Sequence, residues 1–433
     1  MSFPPHYRCE FTYDFRPVGQ GLFCRGELRF TERGHERKKF QWVYDCGSES
    51  GASLRGEIDL YRRQLPEPKR LDLLVLSHFD NDHIKGVGRL LNGLPVDQLV
   101  LPYLTPAQRM VLVAFSGPDN LDYVRFLVSP AEYLANLPGA EIGAIIFIQP
   151  NEGTLPQEAE GVTEPPPPED DRPSSIQFDA EKPSKREFGN DPGMFAQTAS
   201  VKTGVQTSKG SRPMNLFGLW EFAFYNLPQP ELAATLQPLV QPVFDAFYWQ
   251  PSAQRNYDEF IRQIKSIYRR VFGADASGRN DISLVTYTGP IMRRLRSAHY
   301  LCRDRCQYPA SRDARGPQAG NWEDATDGRI STLYTGDLTF RNGTTSAVRR
   351  FLGEDRWRRI RFLQVPHHGS QHSWELGQAA NWNHEWSVFA AGLNNRHGHP
   401  HQPVIDDLRT RNPILVNEMN GAAWGGIAGW RKY

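Results

Sequence analysis

The chain has 433 residues, room for two or three domains of about 100–200 residues each or for one large decorated domain. Its 39% hydrophobic fraction and mean hydropathy of −0.56 are low for that length, but 23% charged residues, 12% aromatics and ten Trp are those of a globular chain. The 50 basic and 49 acidic residues leave a formal charge of +1, which excludes a global field toward nucleic acid or membranes. No apolar run approaches 18 residues, which excludes a membrane span, and the N-terminal residues lack the apolar core of a secretory signal. Five cysteines, at 9, 24, 46, 302 and 306, form no disulfide framework, so a reducing cytoplasm is the expected address.

In chain order, residues 1–100 read as strands and a turn-rich connector followed by a strand and a helix. Phe40–Tyr44 and Leu71–Leu76 are short apolar runs of strand formers, and a helical pattern begins at Ile84. Residues 101–277 read as an insertion with helical patterns over Leu121–Leu137, Leu232–Phe247 and Tyr257–Phe272. Within it, 151–190 hold ten acidic and four basic residues and the run Pro165–Pro168, which can join neither a helix nor a central sheet. About 150–215 is therefore expected to be flexible, either a linker or a flap that docks a protein partner. Across 278–433 strand patterns return at Ile282–Tyr287, Thr332–Thr335, Phe362–Val365 and Val388–Ala391, each just ahead of residues able to bind metal. Two strand-rich zones around a helical insert predict an α/β sandwich with its ligands at strand ends.

The strongest chemical signal is Ser77-His78-Phe79-Asp80-Asn81-Asp82-His83, directly after an apolar strand. Its four donors within six residues are imidazoles and carboxylates, the ligands of Zn²⁺ and, in oxygen-rich sets, of Mn²⁺. Asp82 and His83 are adjacent and point different ways, so the spacing can serve two ions. Read blandly, the same residues are caps and turn formers of a polar strand-to-helix turn.

The HxDxDH pattern with Ile84-Lys85-Gly86 resembles the HxHxDH motif of the metallo-β-lactamase superfamily. With Asp80 in place of the second His, it is similar to the hydrolase domain of the DNA-uptake protein ComEC and its stand-alone relatives. Six further elements follow the same order. These are Val18-Gly19-Gln20-Gly21, Asp45-Cys46-Gly47, Asn280-Asp281-Ile282-Ser283-Leu284-Val285, Gly336-Asp337, Val365-Pro366-His367-His368-Gly369-Ser370, and Asn394 through His401. The resemblance covers about 1–100 and 278–410 and is silent on the insertion. It implies an αββα sandwich, a metal-dependent hydrolase, two divalent ions (Zn or Mn), and a nuclease acting on nucleic acid or another phosphodiester. It makes Asp337 the bridging ligand, gives His78 and Asp80 to one ion, and gives Asp82, His83 and one of His367 and His368 to the other.

Consecutive residues on an extended segment point to opposite sides, so His368 is taken as the ligand and His367 as facing substrate. Asp82, His367 and His399 are the expected catalytic residues. His399 donates to a leaving group or a non-bridging oxygen, or belongs to a rigid turn with Pro400. Asp45 reads as an orienting partner of a ligand His or as a turn residue, and Ser370 as a helix cap or a phosphate contact. The chain has no His between His83 and His299, and Asn280 or Asp281 lies where a substitute would be expected.

Two weaker signals remain. His299, Cys302 and Cys306 at helical spacing could start a zinc site, with no fourth ligand nearby. Basic clusters (Arg293, Arg294, Arg296, Arg303 and Arg305; Arg349, Arg350, Arg356, Arg358, Arg359 and Arg361; Arg262, Lys265, Arg269 and Arg270) suit phosphate contacts or a solvated face. A small-molecule ester or lactone hydrolase and a latent effector subunit are the alternative functions.

Overall fold

The structure, a computed structural model, describes residues 7–115, 120–156, 176–184, 188, 191, 204–228, 230–272, 283–292, 295–309, 323–325, 328–341 and 343–430. Among these residues two mixed β-sheets stack face to face, with helices on both outer faces. The first sheet orders its strands Glu323–Asp324, Leu295–Pro309, Asn420–Trp430, Tyr7–Phe15, Cys24–Glu32, His35–Tyr44, Leu71–Val75, Pro95–Pro102, Glu141–Ile148 and Gly204–Ser208. The second orders Pro413–Val416, Trp386–Ala390, Ile360–Gln364, Ser331–Tyr334, Leu284–Pro290, Trp220–Asn226, Met214–Leu216 and Ile176–Gln177.

Alternation along the strands explains the layering, since successive side chains point to opposite faces. Leu73 and Val75 enter the core between the sheets, where they join Trp42, Trp220, Phe362 and Trp424. Leu74 of the same strand faces the other way, into a helix-covered core with Ile58, Phe126 and Phe244. The second sheet turns Tyr287, Leu333 and Leu363 toward Phe351, Trp357 and Trp382. Fully burying one such Phe stabilises by about 1.5–3 kcal/mol. The α/β sandwich is therefore as expected.

The expected partition of the chain differs from what is found. The stretch 101–277 supplies Glu141–Ile148 and Gly204–Ser208 to the first sheet and Met214–Leu216 and Trp220–Asn226 to the second. The run Ala144-Ile145-Ile146-Phe147-Ile148 is rich in β-branched residues and pairs in parallel with 95–102, which puts it in the sheet's interior. Inside the segment expected to be flexible, Leu155 and Phe188 are buried, and Asp191 makes a buried ion pair with Arg109 at 2.7 Å. The four-proline run lies outside the described residues. The helix expected over 121–137 is two helices, Leu121–Val128 and Pro130–Ala135, because Pro130 has no N–H to continue the first.

The two sheets place their active ends together. His35–Tyr44, Leu71–Val75 and Pro95–Pro102 run parallel in one sheet, and Ser331–Tyr334, Ile360–Gln364 and Trp386–Ala390 run parallel in the other. The loops after their C-terminal ends hold Asp45, residues 76–84, Asp337, residues 366–369 and residues 391–401, and open sheets bind ligands at such ends. The Leu284 N–H donates to the Ser77 carbonyl at 2.6 Å and stitches one sheet to the other there.

Candidate metal centre

Asp337 lies at the middle of the site, buried at 2% exposure, with an imidazole Nε2 near it from four directions. His83 Nε2 is 3.3 Å and His368 Nε2 3.8 Å from its Oδ1. His78 Nε2 is 3.6 Å and His367 Nε2 3.8 Å from its Oδ2. Asp82 completes the Oδ1 side, its Oδ2 being 3.1 Å from His368 Nε2 and 4.0 Å from His83 Nε2. Asp80 gathers with His78 and Asp82, their ligand atoms all within 4.8 Å of one another, and Asp82, His83 and His368 form a second such group.

The backbone explains the convergence. Asp80 precedes the short helix Asn81–Ile84, which turns Asp82 and His83 inward from a loop that Leu76 and Phe79 anchor in the core. Asp337 follows Gly336, whose φ of +54° belongs to the left-handed region and whose added Cβ would sit 2.9 Å from Ser77. Gln364 fixes that turn: its Oε1 accepts the N–H groups of Thr335 and Gly336 at 2.8 Å each, and its Nε2 donates to the Gly336 carbonyl at 3.1 Å. Ser283 Oγ accepts the Asp337 N–H at 3.0 Å.

The segment holding His367 and His368 is not extended. Both residues have left-handed backbone (φ 47° and 57°), and Gly369 follows at φ 85°. A run of three such residues is a tight coil, so the two rings do not point to opposite sides of the chain. Both reach Asp337, one on each oxygen, and the reason given for separating their roles does not hold. Gly369 cannot be replaced freely, since an added Cβ would lie 2.6 Å from the Phe389 ring and from Pro400.

Each ring is oriented by its outer nitrogen. His83 Nδ1 is 2.7 Å from Asp45 Oδ2, and His368 Nδ1 is 2.5 Å from the Ala390 carbonyl, an acceptor only. Ser77 Oγ donates to Asp45 Oδ2 at 2.6 Å, which leaves it to accept from His78 Nδ1 at 2.8 Å. His367 Nδ1 lies 2.7 Å from Ser373 Oγ. For His78, His83 and His368 the outer nitrogen therefore donates, and the Nε2 lone pair of the neutral ring faces Asp337. Asp45 is close enough to His78 and His83 to be counted as a ligand. Its oxygens, however, are taken up by the Ser77 N–H (2.6 Å), the Ser77 hydroxyl and His83, so it orients rings instead.

Charge in the pocket is unbalanced. Burial raises the Asp337 carboxyl, but His367, His83, His368 and His78 outweigh it and hold the group well below the usual carboxylate range. Burial lowers His83, but Asp337, Asp45 and Asp82 outweigh it and hold the ring well above the ordinary imidazole value. His78, buried and beside His83, falls to about 4. His78 Nε2, His83 Nε2 and Asp337 Oδ1 are buried and make no hydrogen bond. Buried polar atoms left in this way are costly, and three of them facing one another fit a bound cation. The donor set of imidazoles and carboxylates suits Zn²⁺ and Mn²⁺.

His399 lies at the rim, half-buried, its ring 5.4 Å from that of His367 and 6.1 Å from that of His368. Gln20 Nε2 donates to its Nδ1 at 3.5 Å, which leaves the proton of the neutral ring on Nε2. Burial and then His368 and His367 lower it to about 3. Ser370 is buried, and its hydroxyl accepts the His372 N–H at 3.3 Å, so it serves the turn and caps no helix. Asn280 and Asp281 lie outside the described residues. His299, Cys302 and Cys306 belong to the strand Leu295–Pro309, so the helical spacing that would have gathered them is absent.

The basic clusters also read differently. Arg356 is buried against Glu221 at 2.6 Å, Arg361 against Glu385 at 3.0 Å, and Arg359 donates to the Asp355 and Pro290 carbonyls. These are structural cations. On the helix Tyr257–Phe272, Arg262, Arg269 and Arg270 are exposed. Gln364, Ser77, Ser373 and Gln20 do the positioning and were not singled out from the sequence. Gln364 carried a signal, as the one polar side chain at the end of the otherwise apolar Phe362–Val365.

No helix among the described residues is long and apolar enough to cross a membrane. No curated protein matches the chain. Among solved structures it is similar to a long form RNase Z from yeast, at 8% identity and a TM-score of 0.29. That match covers 94% of this chain and 36% of the other, so the chain spans little more than a third of that protein's length. Residues 37–173, which include Asp45 and the HxDxDH loop, match the family model of the metallo-beta-lactamase superfamily, and the two helix-flanked sheets are consistent with its fold.

Proposed function

We propose that the protein is a metal-dependent hydrolase of phosphodiesters, a nuclease in its simplest form, working through a dinuclear site centred on Asp337. The observation that carries this reading is the convergence of four imidazole Nε2 atoms on the two oxygens of one buried carboxylate. His78 and Asp80 would hold one ion, Asp82, His83 and His368 the other, and Asp337 both.

Two divalent ions held there would acidify a water molecule and neutralise charge developing on phosphorus. The chain's own residues do the rest. Asp45 and Ser77 hold the rings of His83 and His78 in the tautomer that presents Nε2. Asp82, with its side chain 22% exposed, is the carboxylate at the mouth of the pocket and is placed to take up a proton from the attacking water. His399, presenting Nε2–H at the rim, is placed to donate a hydrogen bond to the departing or a non-bridging oxygen. The nearer likeness to ComEC-type domains rests on the order of the sequence motifs, and nucleic acid is the substrate class it suggests.

The test is a panel of single- and double-stranded DNA and RNA and bis-p-nitrophenyl phosphate, each with Mn²⁺ or Zn²⁺, at low and moderate salt. Cleavage by the wild type that is abolished in Asp337→Ala supports the reading. A metal-loaded wild type that cleaves none of these, yet opens a lactone or ester, overturns it.

A further inference from the structure

In the ligand sets drawn from the sequence, the two ions are unequal: one has two imidazoles, His83 and His368, and the other only His78. His367 stands apart there as a residue facing substrate. The geometry treats it as the equal of the other three. Its Nε2 is 3.8 Å from Asp337 Oδ2, the same separation that His368 has from Oδ1 and 0.2 Å longer than that of His78. Its Nδ1 is tied at 2.7 Å to Ser373 Oγ, as those of His78, His83 and His368 are tied to Ser77, Asp45 and Ala390. Its backbone is forced into the left-handed region, a conformation that costs a bulky residue energy and persists where the surroundings dictate it.

We infer that His367 is a ligand of the first ion, shared with His78 and Asp80 on the Oδ2 side of Asp337. Each ion then has two imidazoles, at least one further carboxylate and one oxygen of the bridge. The inference rests on the dinuclear reading above and changes the expected role of His367. A ring engaged through Nε2 has no N–H to offer from that atom, which leaves the Nε2–H of His399 as the donor at the rim.

The experiment titrates Mn²⁺ into chelator-stripped full-length protein, followed by calorimetry and by electron paramagnetic resonance, with a thermal melt of each variant to confirm folding. Wild type should take up two ions and show the spectrum of a coupled pair, as ions about 3.5–4 Å apart give. His367→Ala should take up one and show an isolated ion, while His399→Ala should keep two. Ser373→Ala, which removes only the orienting partner, should weaken one of the two sites about 10–100-fold and leave the other unchanged. Should His367→Ala fail to melt cooperatively, His367→Gln carries its expectation of one isolated ion, and Ser373→Ala keeps its own. Two coupled ions bound with wild-type affinity in the His367 variant would overturn the assignment alone. A wild type that binds fewer than two ions would overturn the dinuclear reading and the assignment with it.

Discussion

Two buried polar clusters in this molecule are built from similar residues and do opposite things. Around Arg109, every group is answered. The guanidinium gives Nε to the Leu127 carbonyl at 2.8 Å and one terminal nitrogen to the Leu104 carbonyl at 2.6 Å, and it meets Asp191 at 2.7 and 3.1 Å. Around Asp337, the outer nitrogens are answered and the inner atoms of His78, His83 and Asp337 are not. The first pattern ties a connecting segment to the helical layer. The second stores unsatisfied donors around one point, which is what a site made for a cation looks like before the cation is counted. Burial and charge alone do not separate the two; the accounting of each polar atom does.

The largest expected effect breaks the second cluster at its centre. Asp337→Ala should lose both ions and bring hydrolysis down to the metal-free background, as read by metal analysis and by the phosphodiester assay. Retention of full metal content would show that Asp337 does not bridge.

Next comes the first cluster. Asp191→Ala strands the fully buried Arg109 and should cost about 3–5 kcal/mol in urea unfolding, with metal content unchanged. A loss under about 1 kcal/mol would mean that the segment around 191 adds little to the fold.

A subtler change touches only the outer ring of the metal cluster. Asp45→Asn keeps its size but weakens the hold on His83 and Ser77, and metal affinity should fall about 10–100-fold by calorimetry. An unchanged affinity would place Asp45 among ordinary turn residues.

A third buried site supplies the most pH-specific effect. His384 is almost as buried as His83; burial and then Arg411 lower it to about 3, and its Nε2 meets Ser387 Oγ at 2.8 Å. Its folded value lies below that of the unfolded chain, about 6.5. The unfolded state therefore binds the extra proton first, and this contribution to stability is complete above about pH 6.5 and is lost as the pH falls toward 3. Within that window the slope is about one power of ten in the folding equilibrium per pH unit. His384→Gln should flatten that part of the stability profile measured by urea unfolding between pH 4 and 7. A profile unchanged by the substitution would show that His384 titrates normally.

Much of the site was legible because its information is local. His78, Asp80, Asp82 and His83 sit within six residues after an apolar strand, and Asp337 ends another. What the sequence hid was backbone handedness. Nothing in the order His367-His368-Gly369 announces three left-handed residues in a row, and extended geometry was the natural assumption; that one error separated two rings that act on the same carboxylate. The strand 141–148 was overlooked for a different reason. Its run of β-branched residues was visible, but helical patterns on both sides drew the whole stretch into one insertion. Pairing between strands distant in sequence decides such cases, and spacing along the chain does not report it.

The coil at 366–369 places His367 and His368 on opposite oxygens of Asp337 from a single turn of chain. Gly369 sits at its close, with Phe389 and Pro400 against the space where a side chain would go. Any change that moves this turn moves both rings at once, so their placement on the two oxygens of Asp337 is mechanically coupled through the backbone.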